Sequence, residues 1–200
     1  MNPLRKFKIW FEAAKKDYPF DHTAFNLSTS YKNRPYSRMV LLKKILPDGF
    51  IFFTNINSNK GKHFTLNNTL SMCFYWENLK RQIRIIGKGK VCKDTESDEY
   101  FSTRVRGSQI GAWASKQSSE IKNRSYLLNM FKEYSKKFEN KVVPRPKYWV
   151  GIKIIPIEYE FWEGGEFRMH KREVYVSKKK VGRKKFYHLN FYAALNSLSS

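Results

Sequence analysis

The sequence predicts a mainly β domain with flanking helices, of the α+β class. Three observations carry that reading. Phe and Tyr are abundant, 16 and 12 in 200 residues, and aromatic side chains suit the half-buried pleated surface of a sheet. Short apolar or alternating runs recur between clusters of Gly, Pro, Asn and Asp. Helical periodicity is confined to the amino terminus and the middle of the chain. With 41% hydrophobic content, 200 residues suffice for one core and are short for two, so a single domain over 1–200 is expected. No internal repeat and no domain-scale linker is visible.

The first element is an amphipathic helix within residues 1–17. From Pro3 to Lys16, apolar Leu4, Phe7, Ile9, Trp10, Phe11, Ala13 and Ala14 interleave with Arg5, Lys6, Lys8, Glu12 and Lys15. Asn2 before Pro3 is a suitable start. Docking on the domain itself or on a partner subunit is favoured over a membrane surface.

Strands are expected at Ala24 to Ser30, Ser37 to Lys44, Phe50 to Thr54, Leu70 to Trp76 and Arg81 to Lys90, as an antiparallel meander or small barrel. The breaks fall at residues 32–35, 47–49, 55–62 and 77–78. Asp94 to Arg104 and Ser119 to Lys137 read as helices, the second ended by Val143-Pro144-Arg145-Pro146. Further strands are expected at Tyr148 to Pro156, Ile157 to Glu163 and Phe167 to Val176. A basic turn over residues 178–185, expected as a solvated hairpin, leads into a last aromatic segment.

Lys and Arg number 39 against 17 Asp and Glu, a formal charge of +22. Such an excess repels itself unless anions sit on it, which points to nucleic acid, a membrane surface or phosphorylated small molecules. Cys73 and Cys92 form no CxxC pair, so neither a disulfide framework nor a zinc site is signalled, and a reducing, cytoplasmic setting fits. The amino terminus lacks the uninterrupted apolar stretch of a signal peptide, and no run approaches the ~20 apolar residues of a membrane span.

The segment EGGEFRMHKR, residues 163–172, sets Arg168, His170 and Arg172 at alternate positions. As a strand it would project all three from one face, with Arg168 and His170 roughly 7 Å apart. In RMVLLK, residues 38–43, Arg38 and Lys43 would lie on opposite sides of a strand and roughly 16 Å apart, too far to grip one phosphate. If the helix begun at Asp94 continues, Tyr100, Arg104 and Ser108 share a face and suit a phosphate monoester, although Gly107 favours an end before Ser108. The GKGK stretch at 87–90 is neither a Walker loop nor GxGxxG, so phosphates would be held by side chains. His22, His63, His170 and His188 have no metal spacing, and no nucleophilic triad is legible.

Taken together, RMVLLK, FFTNINSNKGKH, RQIRIIGK, YFSTRVRGSQIGAWASKQSS and EFWEGGEFRMHKR, spread from about Arg34 to Arg172, resemble the pyridoxamine 5'-phosphate oxidase family. The resemblance implies a split β-barrel of Greek-key type, forming a homodimer with FMN at the subunit interface. It implies oxidation of pyridoxamine or pyridoxine 5'-phosphate to pyridoxal 5'-phosphate, with O2 as acceptor and H2O2 as by-product. By motif, Arg38, Met39, Val40, Leu41, Leu42, Lys43, Phe53, Thr54, Lys60, Gln82, Gln117, Ser118, Trp162 and Arg172 would contact FMN. Lys43, Tyr100, Arg104 and Ser108 would bind the substrate phosphate, while Arg168 and His170 would bracket the substrate ring as the catalytic pair. No metal is implied.

Departures from the family pattern are visible as well. Asn59 precedes Lys60 where Arg is usual, removing one cation near the FMN phosphate; Lys171 stands for Asp, and Phe53 for Tyr. The amino terminus is short, and the ending FYHLNFYAALNSLSS differs from the usual finish. Two rivals are a split-barrel flavin reductase, disfavoured by Tyr100, Arg104, Arg168 and His170, and a basic nucleic-acid-binding module contacting through SKKKVGRKKF.

Overall fold

The structure, a computed structural model, describes residues 2–115, 117–121, 123–180 and 183–190, of which 178–180 and 183–190 as backbone alone. All of its strand pairings are antiparallel, in the order β2-β1-β5-β6-β7-β4-β3, with β8 on β7 and β9 on β8. The strands are β1 (Ala24–Tyr31), β2 (Arg34–Leu41), β3 (Lys44–Leu46), β4 (Gly49–Asn55), β5 (Thr69–Trp76), β6 (Arg81–Val91), β7 (Trp149–Glu163), β8 (Lys171–Lys180) and β9 (Arg183–Asn190). The helices are α1 (Pro3–Asp17), α2 (Asn59–Leu66), α3 (Asp94–Ser102), α4 (Arg106–Ala114) and α5 (Arg124–Lys137).

The sheet is split along β7. One edge of β7 pairs with β6 from Ile152 to Glu163, while the other pairs with β4 over Trp149 to Ile154 and with β8 over Glu158 to Glu163. The exchange of partners falls at Pro156, whose nitrogen has no hydrogen to donate to a ladder. The register shifts opposite it, between Ile86 and Gly87. A Cβ on Gly87 would sit 2.6 Å from the Ile154 side chain, so this close crossing requires glycine.

The two strands expected over 148–156 and 157–163 are thus one continuous strand, Trp149–Glu163, that changes neighbours. The 32–35 break is narrower than expected: Lys32 and Asn33, with φ of 48° and 60°, form a two-residue hairpin turn between Tyr31 and Arg34. Residues 37–44 are divided between β2 and β3, and residues 55–62, read as a break, contain the start of α2. The middle helix begins at Arg124, capped by the Asn123 side chain, and not at Ser119.

The core is aromatic. Phe7, Trp10, Phe11 and Ala14 of α1 are buried against Phe50, Phe74, Trp76 and Phe161 of the sheet, each ring worth on the order of 2 kcal/mol over exposure. Lys6 fastens the helix by an ion pair of 2.6 Å to Glu173 on β8. Thus α1 docks on its own sheet. A smaller cluster of Phe101, Ile110, Phe138, Val143 and Trp149 joins α3, α4 and α5 to the start of β7. The basic stretch at 178–180 and 183–185 forms the paired ends of β8 and β9; positions 181–182 and 191–200 lie outside the described residues. No helix among the described residues is long and apolar enough to cross a membrane.

Candidate active site

A cleft of about 370 Å³ opens where the end of β2, the strand β4, α2, α3 and the start of β7 converge. Its walls include Met39, Val40, Leu41, Lys43, Phe53, Thr54, Lys60, Tyr100, Arg104, Gln117 and Trp149. Eight expected positions in the amino-terminal two thirds of the chain therefore meet with Tyr100 and Arg104 in one place. Leu42 does not join them. It is buried in the main core, because the ladder ends at Leu41 and the chain turns there, with Leu42 N donating to Thr23 O at 2.8 Å. The same turn breaks the continuous strand expected between Arg38 and Lys43.

One side of the cleft is cationic. Ser58 caps α2, its hydroxyl donating to Asn55 O at 2.7 Å and receiving Lys60 Nζ at 3.2 Å, and Lys60 also donates to Gln117 Oε1 at 3.0 Å. This arrangement needs Gly61, since a Cβ there would lie 2.0 Å from Ile56 O. Half-burial and the like charge of Arg38 push the Lys60 ammonium down to about 8. Arg38, expected in the site, is not among the residues that line the cleft, and its Nη1 donates to Leu27 O, Thr29 Oγ1 and Tyr36 O. Neither cation forms an ion pair with a carboxylate among the described residues.

The other side is aromatic and carries a further guanidinium. Phe53 is parallel to Tyr100 at 4.1 Å and to Trp149 at 4.9 Å, and Arg104 lies 4.7 Å over the Trp149 ring. Burial lowers the Arg104 pKa and, against the pull of Arg104, raises that of Tyr100. Arg104 Nη1 and Thr54 Oγ1 are buried without a hydrogen-bond partner among the described residues. Each such atom costs roughly 1–3 kcal/mol, which an acceptor or donor brought by a ligand would recover.

Tyr100 and Arg104 reach the cleft by a route other than one helix face. The helix α3 stops at Ser102, where the Thr103 hydroxyl donates to Tyr100 O at 2.8 Å and Gln109 Nε2 donates to Phe101 O at 3.0 Å. Those side chains satisfy the terminal carbonyls, and α4 starts afresh at Arg106. Ser108 consequently lies on a different helix and does not line the cleft. Ser118, beside Gln117 with φ of 64°, does not line it either.

The remaining expected residues form a second cluster. Gln82, Trp162 and Arg172 sit directly opposite one another on β6, β7 and β8. The His170 ring lies 4.7 Å from that of Trp162, and His170 Nδ1 accepts from Gly165 N at 3.2 Å. The expected strand alternation of Arg168, His170 and Arg172 is not found. Residues 166–168 make a tight turn with φ of 51° at Phe167 and 65° at Arg168, and β8 begins only at Lys171. Gly165 permits that turn, because a Cβ would meet Met169 O at 2.2 Å. Arg172 reaches Glu160, 3.5 Å away.

The two clusters belong to opposite ends of β7. Val150, opposite Thr54 of the cleft, and Trp162 of the second cluster are twelve residues apart, on the order of 40 Å of strand. Trp149, Gly111, Ala112 and Ser115 line the cleft without having been singled out from sequence. Trp149 reads there as an ordinary buried strand residue, Gly111 and Ala112 of α4 carry no chemistry of their own, and Ser115 reads as a polar residue just past the end of α4.

The sequence of this chain matches the family described as pyridoxamine 5'-phosphate oxidase over residues 11–138. Residues 149–186 match the pyridoxine 5'-phosphate oxidase C-terminal dimerisation region. Curated relatives include the pyridoxine/pyridoxamine 5'-phosphate oxidase of Pelagibacter ubique, 48% identical over 88% of this chain and 86% of that protein. That of Ehrlichia chaffeensis is 43% identical, over 88% and 90%. Among solved structures, PhzG from Burkholderia lata in complex with tetrahydrophenazine-1-carboxylic acid superposes with a TM-score of 0.85 at 28% identity, covering 94% of this chain and 92% of that one. A pyridoxamine 5'-phosphate oxidase-related, FMN binding protein from Nostoc punctiforme gives 0.73 at 15% identity, over 95% and 98%, and shares the fold.

Proposed function

This chain belongs to the pyridoxamine 5'-phosphate oxidase family, and from that premise and the two residue clusters we propose a cytoplasmic, homodimeric, FMN-dependent oxidase of pyridoxamine and pyridoxine 5'-phosphates. The observation that carries this reading is a cleft lined by three cations, Lys43, Lys60 and Arg104, with Arg38 acting on Lys60 and no carboxylate in the lining among the described residues. Two phosphates, one on the cofactor and one on the substrate, match such a lining.

The cleft residues fit FMN. Lys60 and Arg38 offer charge to its phosphate, Thr54 Oγ1 is a buried hydroxyl awaiting a partner, and Gln117 stands beside Lys60. When bound, FMN supplies the acceptor for the substrate's hydride and the route by which electrons reach O2. Lys43, Tyr100 and Arg104 hold the substrate phosphate, and the Trp149 ring packs against the Arg104 guanidinium at 4.7 Å. Trp162, Arg168, His170 and Arg172 come from the partner subunit's copy of the second cluster, because one chain's own copy lies too far along β7. They orient the substrate ring and exclude water, so that the protein's contribution is position and electrostatics.

The test is a visible spectrum of the protein after FMN addition and gel filtration, followed by anaerobic pyridoxine 5'-phosphate. Bound flavin that bleaches with substrate and recovers in air supports the reading. Flavin that stays oxidised points to another split-barrel substrate, and no retained flavin overturns the cofactor assignment.

A further inference from the structure

The carboxyl side of α2 carries a buried histidine with no part in the proposed chemistry. His63 is 7% exposed, and its Nδ1 lies 3.1 Å from Thr29 Oγ1. Thr29, itself 3% exposed, receives Arg38 Nη1 at 2.8 Å. An arginine can only donate, so Thr29 Oγ1 is the acceptor in that contact. The buried hydroxyl proton then needs an acceptor of its own, and the other partner of Thr29 among the described residues is His63 Nδ1. This fixes the tautomer, with Nδ1 bare and the ring proton on Nε2. Burial, then the charge of Arg38, holds the imidazole below its usual pKa, in keeping with a neutral ring.

Packing fixes the ring as well. Tyr31 stacks on it at 5.3 Å with an interplanar angle of 2°, and Tyr36 approaches at 4.4 Å. Both tyrosines come from the β1–β2 hairpin, where Thr29 and Tyr36 are direct register partners. The guanidinium of Arg38 is therefore held through one nitrogen by three acceptors, leaving its other edge without a protein partner among the described residues. An arm fixed before the ligand arrives loses less entropy on binding. Asn59 stands where the family pattern carries a further cation, which makes the orientation of Arg38 count for more here.

We propose that Thr29 and His63 are positioning residues that hold Arg38 in its phosphate-binding orientation through an Arg38 to Thr29 to His63 chain of hydrogen bonds. The proposal rests on the FMN reading above. It is tested by FMN fluorescence titration of the full-length apoprotein, with the thermal midpoint of each apoprotein measured in parallel. His63→Leu and Thr29→Val should each weaken FMN binding about tenfold with the midpoint little changed, and the double variant should be no weaker than either single one, since both break one chain. His63→Asn, which keeps an acceptor near the Nδ1 position, and Thr29→Ser should restore binding to within about threefold. Unchanged affinity in His63→Leu, additive losses in the double variant, or no rescue by the conservative variants would each overturn the anchoring role while leaving the cofactor reading intact. A wild-type chain that itself binds no FMN overturns both.

Discussion

Lys60 links structure to a measurable pH dependence. Its ammonium is held at about 8 by half-burial and by Arg38, well below the ordinary lysine value of 10.5. The sign follows from which form binds. A phosphate favours the charged form, so binding above pH 8 must take up a proton, and affinity is full below that pH and lost above it. With a pKa near 8, about nine tenths of Lys60 is charged at pH 7 and about one tenth at pH 9, so FMN affinity should fall about tenfold across that interval. Lys60→Met should bind FMN at least tenfold more weakly at pH 7, the loss of a charge-assisted contact, and should show little change from pH 7 to 9. The same substitution removes a poorly solvated charge, so the apoprotein should be no less stable than wild type at pH 7. Fluorescence titrations at fixed ionic strength, at pH 7, 8 and 9, decide the matter. Equal slopes in the two proteins, or a flat wild-type profile, would refute the assignment of Lys60 as the titrating anion partner.

Other consequences are separable. Arg104→Ala should raise KM for pyridoxine 5'-phosphate by at least tenfold while FMN retention is unchanged, because its buried Nη1 waits on substrate; loss of flavin would place Arg104 wrongly. Gly61→Ala should destabilise the fold by about 1–3 kcal/mol in urea denaturation and weaken FMN binding too, since a Cβ 2.0 Å from Ile56 O must shift the start of α2. Burial favours the neutral form of Glu173, but hydrogen bonds from Lys6, Lys171 and Tyr175 outweigh it and hold the carboxyl at about 2. Its stabilisation is therefore present above the ordinary value of 4.5 and lost as pH falls through about 2, and Glu173→Gln should cost on the order of 1–3 kcal/mol at pH 7, discounted for partial solvent screening, and less than half of that at pH 3.

Legibility in the sequence followed the range of the interactions. The helix α1 was readable because its apolar spacing is local, and β1, β4, β5 and β6 because turn residues bracket them. The continuity of β7 was not, since Pro156 reads as a break until β4 and β8 are seen sharing one edge of the strand. The interruption between α3 and α4 depends on Thr103 and Gln109 satisfying carbonyls, a choice that periodicity does not encode. At the site, the cleft residues were legible through the resemblance to family motifs, whereas Trp149 and the Thr29–His63 pair acquire their surroundings only through folding. The alternation of Arg168, His170 and Arg172 misled because the chain makes a tight turn there, with left-handed backbone at Phe167 and Arg168 and Met169 O packed against Gly165, which no period-two pattern anticipates.

In the proposed dimer, two clusters at opposite ends of β7 complete each other across the subunits. Arg104→Ala impairs the first cluster and Arg168→Ala the second, so neither homodimer should turn over pyridoxine 5'-phosphate well. Mixed in equal amounts and allowed to exchange subunits, half the dimers should be hybrids with one intact site, restoring about one quarter of wild-type activity. Activity that stays at the average of the two inactive parents after exchange, verified by a mass-tagged subunit, would contradict a shared site.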